Sequence, residues 1–201
     1  MIPLSTPHSH TLYTDGKNTA EEMVQEALRQ GFVSLGFSEH ALQDFDFPYS
    51  LTDESERDYI NTIQALKEKY QGQIALYLGI ERDQLSTADG SKFDYVLASC
   101  HYAQTNQGPV AVDGDPKRLK SVVESDFNGD GLLLAKAYYQ GLGQYIWDYR
   151  PDIIGHFDLV TKYSRNGELF DATSAAYQEI AFQALEEAYL GCTVLEVNTG
   201  A

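Results

Sequence analysis

The chain has 201 residues, which is long enough for one domain with a substantial apolar core. Its 30 acidic and 14 basic residues give a formal net charge of −16, which repels nucleic acid and anionic membranes and argues against both as partners. Two cysteines, the lack of a membrane-length apolar run and an N-terminus without a secretory pattern argue against a disulfide framework and favour a cytoplasmic protein.

The first half of the chain alternates short apolar runs with amphipathic helical patterns. Thr19 and Glu22 have the spacing of a capping box for the first helix, and Asp53 is the expected N-cap of the second. The predicted elements, in chain order, are a strand at residues 2–6, a helix at 19–30, a strand at 33–37, a helix at 53–70 and a strand at 74–80. The last of these is apolar throughout, as expected for a strand buried on both faces.

The second half continues the alternation. Its predicted elements are a strand at residues 94–100, a polar loop or hairpin at 104–113, a helix that begins at Asp115 and Pro116, a helix at 131–149, a strand at 152–155, a helix at 173–190 and a strand at 193–197. The buried face of the 131–149 helix is predicted from Leu134, Tyr138, Leu142 and Ile146. No linker or repeat interrupts the chain, so residues 1–201 are predicted to form a single α/β domain with a parallel sheet, spaced like a (β/α) barrel.

Metal-competent side chains recur where the predicted strands end. His8 and His10 are two residues apart, so both imidazoles point the same way from an extended backbone. Because the carboxyl ends of barrel strands converge on one mouth, we expect these side chains to meet there. The seven candidate metal ligands are His8, His10, Asp15, His40, Glu81, His101 and His156.

Taken singly, each candidate has an ordinary alternative, such as a turn residue for Asp15 or a hydrogen-bonded histidine for His40. Their joint recurrence at strand ends favours a metal site. Seven ligands exceed the four that one zinc ion takes, so two or three divalent ions are expected, with Glu81 as a bridge. Zinc, manganese and iron all accept a mixed histidine and carboxylate site. Such metal pairs commonly hydrolyse phosphate esters.

A phosphorylated substrate needs a local cation, because the net charge of the chain is negative. Lys162 and Arg165 follow His156 and are candidates by position, with ordinary surface charges as the alternative. The loop at residues 41–50 has the length and aromatic content of a lid or substrate wall. Its aromatic residues either line a pocket or pack within the loop, and they are Phe45, Phe47 and Tyr49.

Five motifs follow one another along the chain: His8-Ser9-His10 with Asp15-Gly16, Gly36-Phe37-Ser38-Glu39-His40, Gly79-Ile80-Glu81, Ser99-Cys100-His101 and Gly155-His156-Phe157-Asp158. In this order they resemble the motifs of the PHP (polymerase and histidinol phosphatase) superfamily and, within it, most resemble those of the monofunctional histidinol phosphatases. The resemblance implies a distorted, TIM-like (β/α)7 barrel with two or three metal ions. It also implies that the substrate is a small phosphorylated metabolite, L-histidinol phosphate, which is hydrolysed to L-histidinol and phosphate in histidine biosynthesis.

The resemblance further implies how the ligands are shared. His8 and His10 serve one ion, His101 and His156 a second, and Asp15 and His40 a third, with Glu81 bridging the first two. The implied nucleophile is a metal-bound hydroxide held by Glu81, His101 and His156, so no nucleophilic side chain is needed.

The sequence departs from the family pattern at its end. Family members continue to a strand with an Asp-x-His motif, whereas this sequence stops at Ala201. We therefore expect a fragment whose barrel is incomplete at the C-terminus and whose open strand edge favours self-association. Two other hypotheses stay open: another PHP phosphoesterase, such as a protein-tyrosine phosphatase, and a non-catalytic metal-binding remnant.

Overall fold

The computed structural model describes residues 4–43, 49–164 and 167–198. The chain divides into two compact units, residues 1–97 and 98–201. The helices and strands are β1 (Leu4–Thr6), α1 (Ala20–Gln30), β2 (Phe32–His40), α2 (Asp53–Lys69), β3 (Ala75–Asp83), β4 (Tyr95–Ser99), β5 (Tyr102–Thr105), β6 (Gly108–Ala111), α3 (Pro116–Asp126), α4 (Gly131–Tyr149), β7 (Ile153–Ile154) and α5 (Ala175–Tyr189). None of these helices combines the length and the apolarity that crossing a membrane requires.

The first unit is built on parallel strands. β2 lies between β1 and β3, and β4 follows on the far side of β3. The pairing of β2 with β3 is continuous from Ser34 and Ala75 to His40 and Glu81. His40 and Glu81 are therefore direct neighbours across two strands at the carboxyl end of the sheet, where the sequence predicts a site.

Both helices of the first unit start with a capping box. The box of Thr19 and Glu22 is confirmed, and α1 ends at Gly31 in the left-handed conformation (φ 82°). For α2 the predicted cap is wrong, because the N-cap is Thr52, whose hydroxyl accepts the backbone N–H of Ser55. Asp53 is instead the first helical residue, where its negative charge interacts favourably with the positive end of the helix dipole.

Tyr95 passes across the sheet of the first unit above two glycines. Its hydroxyl lies within hydrogen-bonding distance of the carbonyl oxygens of Pro7 and Phe37. A Cβ atom on Gly79 would overlap the Tyr95 ring, and one on Gly36 would overlap its hydroxyl. The two glycines therefore make room for a side chain that connects β4 to the residue before His8.

The second unit joins a hairpin to a group of helices. β5 and β6 pair in antiparallel fashion from Tyr102 and Ala111 to Thr105 and Gly108, so of the two predicted alternatives, a loop or a hairpin, the hairpin is present and begins two residues earlier than predicted. The Gly155 N–H donates to the Ala98 carbonyl (2.9 Å), which places β7 beside the end of β4. The helix at 131–149 is confirmed as α4, and its predicted core side chains are all buried: Leu134, Tyr138, Leu142 and Ile146.

Two predicted strands differ from the structure. Tyr77, in the first half of β3, is 48% exposed, so the prediction of burial on both faces is wrong there. The alternation of exposed and buried residues shows that this part of β3 has only one covered face. The strand predicted at residues 193–197 is present only as a bridge of Leu195 to Ile154, with hydrogen bonds from Ile154 to Val194 and from Glu196 to Ile154. Both bonds use a single residue of the partner strand, so no longer ladder forms.

Five parallel strands, β1 to β4 and β7, make up the larger of the two sheets among the described residues, where the resemblance implies seven. Residues 2 and 3 of the first predicted strand lie outside the described residues. So do Phe45 and Phe47, which leaves the predicted lid untested, while Tyr49 is exposed.

Candidate metal centre

The first unit brings five of the predicted ligands to one place at the carboxyl ends of β1, β2 and β3. The carboxylate of Glu81 is at its centre and is almost fully buried. Its Oε2 lies 2.9 Å from His40 Nδ1, 3.1 Å from His10 Nε2 and 3.5 Å from His8 Nε2. The Nε2 atoms of His8 and His10 are 3.1 Å apart. Three imidazole nitrogens therefore face one carboxylate oxygen.

Asp15 holds the outer side of this group. His10 Nδ1–H donates to Asp15 Oδ1 (2.6 Å), so Nε2 is the nitrogen that His10 turns toward Glu81. The other carboxylate oxygen of Asp15 lies 3.7 Å from His40 Nε2. Gly16 follows in a tight turn that brings it close to the backbone of His10. A Cβ atom at this position would overlap the His10 carbonyl, so the turn requires glycine. The loop thereby folds back far enough to place Asp15 against the histidine five residues before it.

The carboxylates set the protonation of the two histidines. Burial is the largest single influence on His40 and lowers its pKa, but Glu81 and Asp15 together outweigh it and raise the pKa to about 11. The same competition, with burial opposed by Asp15 and Glu81, raises the pKa of His10. The hydrogen bond from His10, together with the nearby imidazole of His40, lowers the pKa of Asp15. Without a metal, ion pairs between the protonated imidazoles and the two carboxylates therefore hold the cluster together.

Zinc binding to this cluster is expected to release protons. Nitrogen ligands bind metals in their deprotonated form, so zinc must displace the proton that His40 holds below its pKa of about 11. We expect release of at least one proton at about pH 7, and an affinity that rises from about pH 6 to about pH 8. Titration calorimetry in buffers with different ionisation enthalpies measures both. Equal heats in all buffers, with an affinity that does not depend on pH, would contradict the displacement of a proton from His40 by zinc.

The second unit holds the two remaining histidines as a pair. The rings of His101 and His156 have centroids 5.0 Å apart. Ser99 Oγ lies 3.3 Å from His156 Nε2, and the backbone N–H of His156 donates to Glu196 Oε2 (2.9 Å). The seven predicted ligands therefore fall into a group of five in the first unit and a pair in the second. Their union in one centre stays a prediction.

The structure gives little support to the two candidate phosphate-binding cations, Lys162 and Arg165. Lys162 Nζ lies 3.9 Å from the Asp113 carboxylate, at the surface of the second unit. A phosphate would have to compete with that carboxylate for the ammonium group. Arg165 lies outside the described residues. Both assignments stay predictions.

One buried carboxylate near the cluster is absent from the predicted site residues. Glu39 is fully buried in β2, directly before His40. It accepts the backbone N–H of Thr11 through Oε1 (2.8 Å) and the hydroxyl of Thr14 through Oε2. The signal in the sequence is an acidic residue inside a buried strand, which is costly unless its charge is satisfied.

The side chains described above can hold divalent metal. One donor atom from each of His10, His40 and Glu81 lies within 4.8 Å of the others. Imidazole nitrogen and carboxylate oxygen together suit zinc and other first-row divalent ions.

Comparison with known proteins establishes the family. The model of the PHP domain matches residues 7–200, a range that contains all seven predicted ligands. The chain belongs to the PHP domain family. This confirms the resemblance seen in the sequence and the α/β fold class.

Curated relatives of this PHP chain carry one name. The PHP chain is 27% identical over 177 residues to the histidinol-phosphatase of Bacillus subtilis, and the match covers 78% of this chain and 66% of that protein. It is 26% identical over 224 residues to the probable histidinol-phosphatase of Schizosaccharomyces pombe, covering 100% of this chain and 70% of that protein. The PHP chain thus spans about two thirds of the length of these relatives.

Solved structures share the fold. A candidate histidinol phosphatase from Listeria monocytogenes superposes with a TM-score of 0.77 at 20% identity, covering 93% of this chain and 79% of that one. The histidinol phosphate phosphatase of Lactococcus lactis, solved with zinc, L-histidinol and phosphate, gives 0.71 at 22% identity, covering 97% and 73%. At these identities the similarity establishes the PHP fold.

Proposed function

We propose that the chain is a metal-dependent phosphomonoesterase that hydrolyses L-histidinol phosphate to L-histidinol and phosphate. The observation that carries the proposal is the cluster of His10, His40 and Glu81 at the strand ends of a PHP fold. The names of the curated relatives, and the L-histidinol and phosphate bound to the Lactococcus lactis protein, support this substrate. We place the reaction in the cytoplasm, where small phosphorylated metabolites of biosynthesis occur.

Two or three divalent ions are proposed for the seven ligands, with zinc supported by the Lactococcus lactis structure and manganese and iron as alternatives. When bound, such ions offset charge on phosphoryl oxygens and lower the pKa of water. The residues of the chain prepare the site for this chemistry. Asp15 fixes the ring of His10 by accepting its Nδ1–H, so that His10 Nε2 faces Glu81.

The burial of Glu81 also prepares the site for a metal ion. Its carboxylate is buried and faces three imidazoles, so water weakens its electrostatic interaction with the groups it faces less than it would at the surface. A divalent ion can replace the protons that balance this charge in the metal-free protein. For the histidine pair of the second unit, we propose a role in the same reaction, with Ser99 helping to orient the His156 ring.

Replacing His101 with alanine is expected to lower phosphate release at least about 100-fold, since losing even an indirect partner of a metal site costs about 10- to 100-fold. The rate is measured by colorimetric phosphate detection with L-histidinol phosphate. Gln104→Ala, at an exposed position three residues further on, is the matched control and should retain the wild-type rate. Near-normal turnover by the His101 variant would remove this residue from the site.

The substrate is tested by offering the zinc-loaded protein L-histidinol phosphate and phosphotyrosine separately. We expect kcat/KM to be higher for L-histidinol phosphate by at least about tenfold, which corresponds to about 1.4 kcal/mol of transition-state binding. A preference for phosphotyrosine would support a protein-tyrosine phosphatase instead. Zinc binding with no turnover of either compound would support the non-catalytic hypothesis.

A further inference from the structure

We propose that Glu39 is a positioning residue of the metal centre, which fixes the loop that presents His10 and Asp15. The inference rests on the proposed function to the extent that these two residues are taken as metal ligands. Glu39 itself faces the loop rather than the cluster of imidazoles, so its action is on the backbone that carries the ligands.

The contacts of Glu39 fall next to the proposed ligands in the sequence. Thr11, which donates its backbone N–H to Oε1 (2.8 Å), directly follows His10. Thr14, which donates its hydroxyl to Oε2, directly precedes Asp15. Glu39 in turn directly precedes His40 at the end of β2. One carboxylate therefore connects the neighbours of three residues in the cluster.

The loop is closed around the same points. The carbonyl of Thr11 accepts the N–H groups of Thr14 (3.2 Å) and Gly16 (3.0 Å), and the Leu12 N–H donates to the Asn18 carbonyl (3.0 Å). Thr11 is fully buried, so this turn is anchored in the protein rather than standing in solvent. Glu39 supplies a side-chain link from the turn to β2, and therefore helps to set where the turn lies relative to His40.

The cost of this arrangement favours a functional role. A buried carboxylate stabilises a fold less well than an apolar side chain of similar size, because its desolvation offsets most of the hydrogen-bond energy. Both hydrogen bonds that the described residues give this carboxylate come from the loop. The contact between His10 Nδ1 and Asp15 Oδ1, at 2.6 Å, depends on the closure of that loop. Loss of the link would therefore loosen the placement of His10 and Asp15 relative to His40.

The test compares three variants with one control in the full chain. Glu39→Leu removes the link, Glu39→Gln keeps an acceptor for the Thr11 N–H, and Thr14→Val removes only the hydroxyl. The control is Glu56→Gln, a buried carboxylate of the same unit that pairs with Lys92 (2.5 Å) and does not contact the loop. Zinc affinity of the metal-free protein is measured by titration calorimetry, and stability by thermal unfolding of the same samples.

We expect Glu39→Leu to weaken zinc binding about 10- to 100-fold, as loss of an indirect partner does in other metal sites. Thr14→Val should show a smaller loss and Glu39→Gln a partial recovery relative to leucine. Glu56→Gln should lower the unfolding temperature with zinc affinity unchanged. If Glu39→Leu fails to fold, the other two variants decide.

The proposal is overturned if Glu39→Gln and Thr14→Val bind zinc as tightly as the wild type, or if Glu56→Gln weakens binding as much as they do. Because zinc binding needs no substrate, a wild-type protein that binds zinc but does not hydrolyse L-histidinol phosphate would remove the proposed function and leave this inference intact. A wild-type protein that binds none of zinc, manganese and iron would overturn both.

Discussion

Replacing Glu81 with glutamine is expected to abolish phosphate release and to weaken zinc binding by at least about 100-fold. The variant keeps the shape of the side chain but replaces a charged oxygen that lies within 3.5 Å of three imidazole nitrogens. The neutral amide offers a metal a weaker donor, and it no longer balances the charge of His40. Metal content by atomic emission and turnover of L-histidinol phosphate measure the two effects.

Glu56→Gln is again the matched control, because it neutralises a buried carboxylate of the same unit on α2 rather than at the strand ends. It should retain the metal content and turnover of the wild type. A Glu81→Gln protein with full metal content and turnover would show that this carboxylate is a structural residue.

Replacing Gly79 with alanine is expected to lower the free energy of unfolding by about 3 kcal/mol, at the upper end of the usual cost of overpacking. The added Cβ would overlap the ring of Tyr95, which lies against the sheet. If the ring moves, its hydroxyl leaves the carbonyl of Pro7, the residue before His8. Zinc affinity should therefore fall together with stability. Urea unfolding of the metal-free protein and zinc titration measure the two quantities.

Gly143→Ala is the control for this substitution. Gly143 lies inside α4, and the nearest atom to its added Cβ is Glu187 Oε2 at 3.8 Å, an ordinary contact. Alanine should stabilise the helix there by about 0.5–1 kcal/mol. A Gly79→Ala protein as stable as the wild type would show that Tyr95 leaves the sheet without cost.

Patterns that belong to one element are well predicted from the sequence. α4 begins and ends at the predicted residues, because the four-residue spacing of its core side chains is a local property. The proximity of His40 and Glu81 also follows from sequence, since each lies close to the carboxyl end of a predicted strand and parallel neighbours bring these ends together. A topology with adjacent strands is all that this step requires.

Features that depend on a neighbouring element are harder to predict from the sequence. The apolar run at residues 193–197 has the composition of a strand, but a ladder needs a long partner, and β7 has two residues. Val197 is consequently 88% exposed. The exposure of Tyr77 likewise depends on whether another element covers that face of β3, which the sequence of the strand alone does not show. Glu39 was missed because its role depends on the return of a loop from another part of the chain.

The most direct test of a metal-dependent phosphomonoesterase compares one protein sample in two states. The chain is stripped of metal with a chelator, dialysed, and assayed for phosphate release from L-histidinol phosphate before and after zinc or manganese is restored. We expect no measurable release from the stripped protein and full recovery on addition of metal. Equal release in both states would contradict metal dependence, and no release in either state would contradict the phosphatase function.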